Sequence, residues 1–202
     1  MYKNLIVLAI SFCSCFNTVF ADSFSKLRVY QADNPQTIIY ETSDNADIAA
    51  VLNGVSIRFE QWEATQVLSE QAQQQEVIAA YQADVDQLVQ ENGYTYIDVA
   101  RMAPNSPKKA ELRQKFLREH YHTEDEVRFF VEGFGLFYLH INDNVYIVRC
   151  EAGDLISIPA NYRHWFDMSQ APYFTAIRFF LNKDGWIGHF TGSDIAASFI
   201  QD

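Results

Sequence analysis

The chain has 202 residues, of which 49% are hydrophobic, 15% aromatic and 20% charged. This composition excludes a disordered, collagen-like or coiled-coil protein and predicts one compact domain with a sizeable core. The formal net charge of -11 at pH 7 repels phosphate backbones, and the sequence has no Lys/Arg stripe that would neutralise them. We therefore expect no nucleic-acid partner.

The N-terminus has the pattern of an export signal. Lys3 precedes an uncharged, mostly apolar run at residues 5–16, and residues 19–21 (Val-Phe-Ala) supply small side chains where a signal peptidase reads. We assign residues 1–21 to a signal peptide and residues 22–202 to a single domain that is periplasmic or secreted. If the run is not a signal, the alternative is a cytoplasmic protein. No later stretch approaches the roughly 20 apolar residues of a membrane span, so we expect none in the mature chain.

Cleavage would leave Cys150 as the only cysteine of the mature chain. An internal disulfide is then impossible, and a domain of this size does not need one. Because Cys150 ends an apolar run at residues 145–150, we expect a buried structural thiol and not a nucleophile.

The mature chain begins with short β-like segments. Residues 27–31 and 38–41 predict two strands, with Asp-Asn-Pro at residues 33–35 as the turn between them. Residues 55–59 alternate apolar and polar side chains, which predicts a half-buried strand.

The pattern becomes helical from about residue 66. Apolar side chains recur at helical spacing, at Ile78, Tyr81, Val85 and Leu88. We expect an amphipathic helix that covers a core and ends at the Asn92-Gly93 cap. A short charged helix is predicted at residues 108–117, after two prolines.

The rest of the chain is β-like and rich in aromatic residues. Strands are predicted at residues 120–132, 135–141, 145–150, 154–159 and 173–181. Gly, Asn-Asp-Asn and Pro turns separate them. Strands at this spacing indicate a sandwich or barrel.

One strand concentrates the residues with chemical potential. In a regular strand, side chains two apart share a face, so His120, His122, Glu126 and Arg128 would project to one side. His164 follows the strand that ends at Pro159, in a loop that can return its imidazole to the same cavity. Three imidazoles and a carboxylate suit octahedral Fe(II), Ni(II), Mn(II) or Co(II) with two positions open for chemistry.

Two other interpretations of these residues remain open. In the first, the histidines alternate on a strand without binding metal. In the second, they form a closed structural zinc site, although such sites are usually rich in thiolates. His140 and His189 have no partner at ligand spacing, so we interpret both as non-ligands.

The spacing of these residues resembles the two cupin motifs. The first is His-x-His-x3-Glu-x6-Gly from His120 to Gly133, and the second is Gly-x5-Pro-x4-His from Gly153 to His164. Asn161 stands where the second motif usually has Gly, and Asn tolerates the left-handed conformation that Gly would take there. The leading Gly of the first motif is replaced by Gln114. The resemblance implies a mainly β cupin fold, a double-stranded β-helix or jelly-roll barrel with a few flanking α-helices.

Within the cupins, the chain resembles the acireductone dioxygenase family over most of its mature length. The similar segments, in order, are residues 53–62, 98–99, 115–129, 159–166, 176–178 and 190–194. The resemblance implies that one Fe2+ or Ni2+ per chain is bound by His120, His122, Glu126 and His164.

The resemblance also implies roles for neighbouring side chains. Arg128 matches the position that holds the substrate as its dianion; the alternative is a structural salt-bridge partner, because a buried Arg must be paired. Phe166 and Trp186 match aromatic positions of the substrate pocket. Glu119 and Asp125 match acidic positions that assist metal loading; the alternative for each is a solvated charge. Arg178, in an apolar strand, is expected to pair with a carboxylate.

For activity, the resemblance implies a dioxygenase of methionine salvage. The family cleaves the enediol acireductone with O2, giving formate and 4-methylthio-2-oxobutanoate with iron, or formate, CO and 3-(methylthio)propanoate with nickel. The expected partners are thus a small enediol and O2, and we expect a monomer. Because salvage is intracellular, the export signal keeps two alternatives open: an exported cupin dioxygenase for another enediol, and a cupin that binds metal or ligand without turnover.

Overall fold

A computed structural model describes residues 26–200 as a mainly antiparallel β structure flanked by short helices. The predicted signal peptide lies outside these residues. The strands are β1 (Leu27–Gln31), β2 (Asn34–Thr42), β3 (Arg58–Gln61), β4 (Tyr96–Met102), β5 (His120–Tyr121), β6 (Glu126–Ile141), β7 (Asn144–Glu151), β8 (Asp154–Ile158), β9 (Arg163–Asp167), β10 (Phe174–Phe180) and β11 (His189–Phe190). The helices are α1 (Asn45–Asn53), α2 (Gln74–Ala80), α3 (Gln82–Asn92), α4 (Lys109–Phe116) and α5 (Ile195–Phe199). None of the helices in this range is long and apolar enough to cross a membrane.

Strand β6 is shared by the two faces of the barrel. Its first half pairs with β8 and β10, which continue to β3 and β4, and its second half pairs with β7 and β9. Beyond these, β1 and β2 extend one edge and β5 and β11 the other. The predicted cupin barrel is confirmed, but the two strands predicted on either side of residue 133 form this one 16-residue strand.

Two glycines let β6 change direction between the faces. Gly133 has a φ of 64°, and a Cβ there would collide with the carbonyl group of Tyr173. A Cβ on Gly135 would collide with the ring of Phe166. Glycine is therefore required at Gly133 by both backbone conformation and close packing, and at Gly135 by close packing.

The bend at Gly133 predicts how adding a single methyl group there changes the stability of the fold. We expect Gly133→Ala to lower the free energy of unfolding by about 3 kcal/mol, because left-handed strain and overpacking each cost roughly 1–3 kcal/mol. Gly93→Ala is the matched control, since Gly93 has a φ of 74° but no atom within 4 Å of its Cβ position. Urea unfolding of the metal-free proteins measures both. Equal losses in the two variants would contradict the steric contribution.

The core occupies the barrel interior and two outer layers. Inside, buried side chains such as Phe130, Phe137 and Cys150 pack together, so the predicted burial of the thiol is confirmed. Burial raises the pKa of Cys150 well above its usual value, which suits an inert thiol. Helices α2 and α3 cover one outer face and α5 covers another.

Several local predictions differ from the structure. The single helix expected from residue 66 is two helices that begin at Gln74 and meet at Tyr81, although the Gly93 cap is confirmed with a left-handed φ. The strand predicted at residues 55–59 lies later, at β3, because Ser56 has a φ of 66° in a turn. Helices α1 and α5 and strands β4, β9 and β11 were not predicted.

The strand predicted at residues 120–132 is also interrupted. After β5 the chain bends at residues 122–125 and resumes extended structure at Glu126. The alternation argument for His122 and Glu126 was therefore wrong in its geometry. These side chains nevertheless converge, because the bend and the pairing of the flanking strands bring them together.

Candidate metal centre

Neighbouring strands bring three buried histidines together. His120 on β5 pairs directly with His164, which lies on β9 and not in the predicted loop. His122 follows in the bend, where its carbonyl accepts a 2.8 Å hydrogen bond from the Asn161 amide. Asn161 has the left-handed φ of 67° that was expected for it. Ligand atoms of the three histidines lie within 4.8 Å of one another.

Backbone carbonyls fix the orientation of all three imidazoles. Because a carbonyl only accepts, each Nδ1 must carry the proton and donate it. For His120, His122 and His164, the acceptors are the carbonyls of Arg118 (2.7 Å), Ile187 (2.9 Å) and Tyr162 (3.0 Å). With the proton on Nδ1, each ring can present its Nε2 lone pair to the common centre, as metal-binding histidines do.

Glu126 completes the set at the start of β6. Its Oε2 lies 2.7 Å from His164 Nε2 and 3.6 Å from His122 Nε2. Neither Glu126 Oε2 nor His164 Nε2 has a hydrogen-bond donor among the described residues, and both are buried. A metal cation between these two atoms would satisfy both.

The charge states also fit metal binding. Burial, aided by the neighbouring His164, lowers the pKa of His120 to about 3, and burial lowers the pKa of His122. Burial acts to raise the pKa of Glu126, but Arg128 and His164 together outweigh it and hold this pKa well below its usual value. At neutral pH the site therefore offers the uncharged imidazoles of His120 and His122 and an ionised Glu126 carboxylate.

Arg128 lies beside the ligands and is buried. Its Nη2 forms an ion pair with Glu126 Oε1, and its guanidinium carbon lies 4.7 Å from the ring centroid of Phe166 and 5.0 Å from that of Phe137. Its Nε has no hydrogen-bond partner within residues 26–200. Arg128 thus combines the salt bridge that was considered as an alternative with a free donor at the pocket.

A cavity of about 200 Å³ opens beside the four ligands. Both predicted aromatic residues, Phe166 and Trp186, line it, as does Arg178. Arg178 makes the expected carboxylate pair, a bidentate one with Asp98 at 2.7 and 2.6 Å. Four apolar side chains of the wall were not predicted from the sequence: Leu112, Phe116, Phe180 and Phe190.

The two acidic neighbours occupy different environments. Glu119 is fully buried and accepts 2.6 Å hydrogen bonds from His140 Nδ1 and Thr191 Oγ1, so it is not a solvated charge. His140 is thereby accounted for without a metal. Asp125 is exposed and accepts a 2.9 Å hydrogen bond from the Ala160 amide. Neither carboxylate belongs to the group of converging ligands, and their roles stay predictions.

Backbone groups of the segment before β11 were invisible to sequence reasoning. The Ile187 carbonyl orients His122, and a Cβ on Gly188 would lie 3.1 Å from His120 Cδ2. The predicted non-ligand His189 is exposed, and its ring stacks on Tyr121. A carbonyl contact carries no residue-type signal, so no motif would have revealed the first of these contacts.

The fold and the site together define a metal-binding cupin. Residues 26–188 match the model of the ARD/ARD' family, and the chain belongs to that family. It is 56% identical over 175 residues to an acireductone dioxygenase of Alcanivorax borkumensis, covering 87% of this chain and 97% of the relative. An acireductone dioxygenase of Stenotrophomonas maltophilia is 53% identical, with 87% and 95% covered.

A solved structure is similar as well. It is an acireductone dioxygenase from Bacillus anthracis with a cadmium ion in its active centre. The two chains share 27% identity and a TM-score of 0.71, over 82% of this chain and 98% of the other. The predicted family resemblance is confirmed.

Proposed function

We propose that this protein is a metal-dependent dioxygenase that cleaves acireductone with O2 in methionine salvage. The observation that carries the proposal is the convergence of three imidazoles and the Glu126 carboxylate beside a largely apolar pocket. Relatives more than 50% identical over nearly their whole length are named acireductone dioxygenase. A cupin that only binds metal would not require the guanidinium and the apolar wall beside the ligands.

The metal would be held by His120, His122, Glu126 and His164. When bound, it supplies Lewis-acid stabilisation of the enediolate, which makes the substrate electron-rich enough to react with O2. The hydrogen bonds from each Nδ1 to a backbone carbonyl hold the rings in place, so the ligand lone pairs are preorganised.

Arg128 and the aromatic wall act on the organic substrate. The guanidinium is a fixed positive charge two residues from Glu126, and it favours the deprotonated enediol over the neutral one. Phe166, Leu112 and Phe116 exclude water and form an apolar surface for the methylthio tail.

We propose Fe2+ or Ni2+ as the resident metal, one per monomeric chain. The experiment divides metal-free protein into two samples, loads one with each ion, and supplies acireductone and O2. The iron sample should yield 4-methylthio-2-oxobutanoate and formate, and the nickel sample CO, formate and 3-(methylthio)propanoate. Identical products from both samples would contradict the metal-dependent outcome, and light scattering of the same samples tests the monomer.

We also propose that residues 1–21 direct export. The proposal is supported by Lys3, the apolar run after it and Ala21, and by a family match that begins only at residue 26. N-terminal sequencing of protein purified from its native cell should read from Asp22 in the periplasmic or secreted fraction. An intact Met1 on cytoplasmic protein would contradict export and leave ordinary intracellular salvage.

Export favours one rival function, an exported dioxygenase for another enediol. The two functions differ in the tail of the substrate. The tail is the part that the apolar wall would contact, so comparing substrates with and without it discriminates the two functions. If acireductone and an enediol without the methylthio tail have equal kcat/KM, the rival is favoured. We expect acireductone to be preferred by about tenfold or more, since burying even one or two methylene-sized groups is worth roughly 1–3 kcal/mol.

A further inference from the structure

Two cation–aromatic contacts flank the mouth of the pocket. Lys115, near the end of α4, places its Nζ 5.9 Å from the ring centroid of Trp186. Arg118 places its guanidinium carbon 4.2 Å from the ring centroid of Phe190. Both rings line the pocket, yet they are 49% and 39% exposed, so they lie between the interior and solvent. We call Lys115 and Arg118 the cationic rim.

The rim differs from the cations inside the pocket in its charge balance. Arg128 is paired with Glu126, and Arg178 with Asp98. In the part of the chain that the structure describes, no carboxylate lies within 4.0 Å of the Lys115 amine or the Arg118 guanidinium. Both rim side chains are exposed. The pocket entrance therefore carries two positive charges without close counter-ions.

This local charge contrasts with the rest of the molecule. The chain has a formal net charge of -11, so its average field repels an anion approaching from solution. A positive patch at the entrance opposes this repulsion at the place where an anion would enter the pocket. The aromatic faces limit the motion of the two long side chains and keep their charges at the entrance.

We propose that Lys115 and Arg118 recruit the substrate as an anionic enediolate and thereby set kcat/KM and the preference for anionic over neutral ligands. This inference rests on the proposed function, because the anion is the deprotonated enediol. The rim lies at the mouth and acts on encounter and binding, whereas Arg128 acts beside the ligands.

The first test is kinetic and uses Lys115→Met, Arg118→Met and the double variant, each fully metal-loaded. We expect kcat/KM of the double variant to fall about tenfold at low salt, while kcat changes less than about twofold, because steering raises association rates by 10–10³. Raising ionic strength from about 0.01 M to 0.15 M shortens the screening length and should lower wild-type kcat/KM much more than that of the double variant. Lys108→Met is the matched control. Lys108 is exposed and precedes the same helix, and its substitution removes the same charge.

A second test does not depend on turnover. Oxalate, a chelating dianion without an apolar tail, is titrated calorimetrically into the nickel-loaded proteins. The double variant should bind oxalate about tenfold more weakly than wild type, with a flatter salt dependence, and Lys108→Met should bind like wild type.

The outcomes separate this inference from the proposed function. The proposed role of the cationic rim would be overturned by equal oxalate affinity in wild type and the double variant. It would also be overturned if Lys108→Met lost as much oxalate affinity as the double variant. A fall in kcat without a change in salt dependence would also overturn it, because it would indicate a structural effect. Absence of wild-type turnover with acireductone, together with rim-dependent oxalate binding, would instead overturn the proposed substrate and support the rim.

Discussion

Replacing His164 with alanine is expected to remove the metal and reduce turnover to the metal-free background. The side chain is 1% exposed, and its Nε2 lies 2.7 Å from Glu126 Oε2, within the group of predicted ligands. Loss of a supporting partner alone typically weakens metal binding 10–100-fold, so loss of a ligand should cost more than about 100-fold. Elemental analysis after dialysis measures occupancy, and His122→Ala should behave in the same way.

Two controls keep this result interpretable. His189→Ala removes an exposed imidazole outside the ligand group and should retain full metal and activity. The melting temperature should rise on metal addition in wild type but not in His164→Ala, because a ligand stabilises only a fold that binds it. Full metal content in a folded His164→Ala protein would contradict the assigned site.

Replacing Arg128 with methionine is expected to lower turnover about 10²-fold or more in metal-loaded protein, a loss of roughly 2.7 kcal/mol in transition-state stabilisation. Methionine keeps an apolar stem between Phe137 and Phe166 but removes the charge that favours the enediolate. Metal content should change little, because a bound cation neutralises Glu126 without help. Oxygen uptake at known metal occupancy measures the effect.

The Glu126 ion pair adds an expectation that the sequence alone did not give. Without metal, Arg128→Met leaves the Glu126 carboxylate buried beside no cation, and breaking a buried pair costs about 3–5 kcal/mol. Metal-free Arg128→Met should therefore unfold at lower urea than wild type, and metal should reverse most of the loss. Arg128→Lys should recover part of the activity, since it restores the charge without the planar fork. Normal specific activity in metal-loaded Arg128→Met would limit Arg128 to a structural role.

The residues predicted as ligands come together in the structure, and the sequence could point to them because metal-binding chemistry is tied to residue type. Three of the five histidines and one glutamate stand at cupin spacing, and the barrel brings them together. The reason first given, alternation along one strand, was wrong, because the chain bends at residues 122–125. Instead, the pairing of β5 with β9 brings His120 and His164 together. Pairing between short strands that are distant in the chain leaves little local signal in the sequence.

Other features depended on packing that a single sequence does not encode. The continuity of β6 through Gly133 and Gly135 follows from contacts with Tyr173 and Phe166, whereas glycine by itself indicated a break between strands. From the sequence, Glu119 matched an acidic position that assists metal loading, with a solvated charge as the alternative. In the structure Glu119 is buried, and His140 and Thr191 satisfy its oxygens.

We propose that this metal site activates an enediol for reaction with O2. Oxygen consumption and formate release are recorded simultaneously, with acireductone limiting and protein carrying one equivalent of Fe2+ or Ni2+. We expect one O2 consumed and one formate released per acireductone in wild type, with His164→Ala at the background rate. Oxygen uptake no faster than in metal-free protein, or equal rates in wild type and His164→Ala, would contradict it.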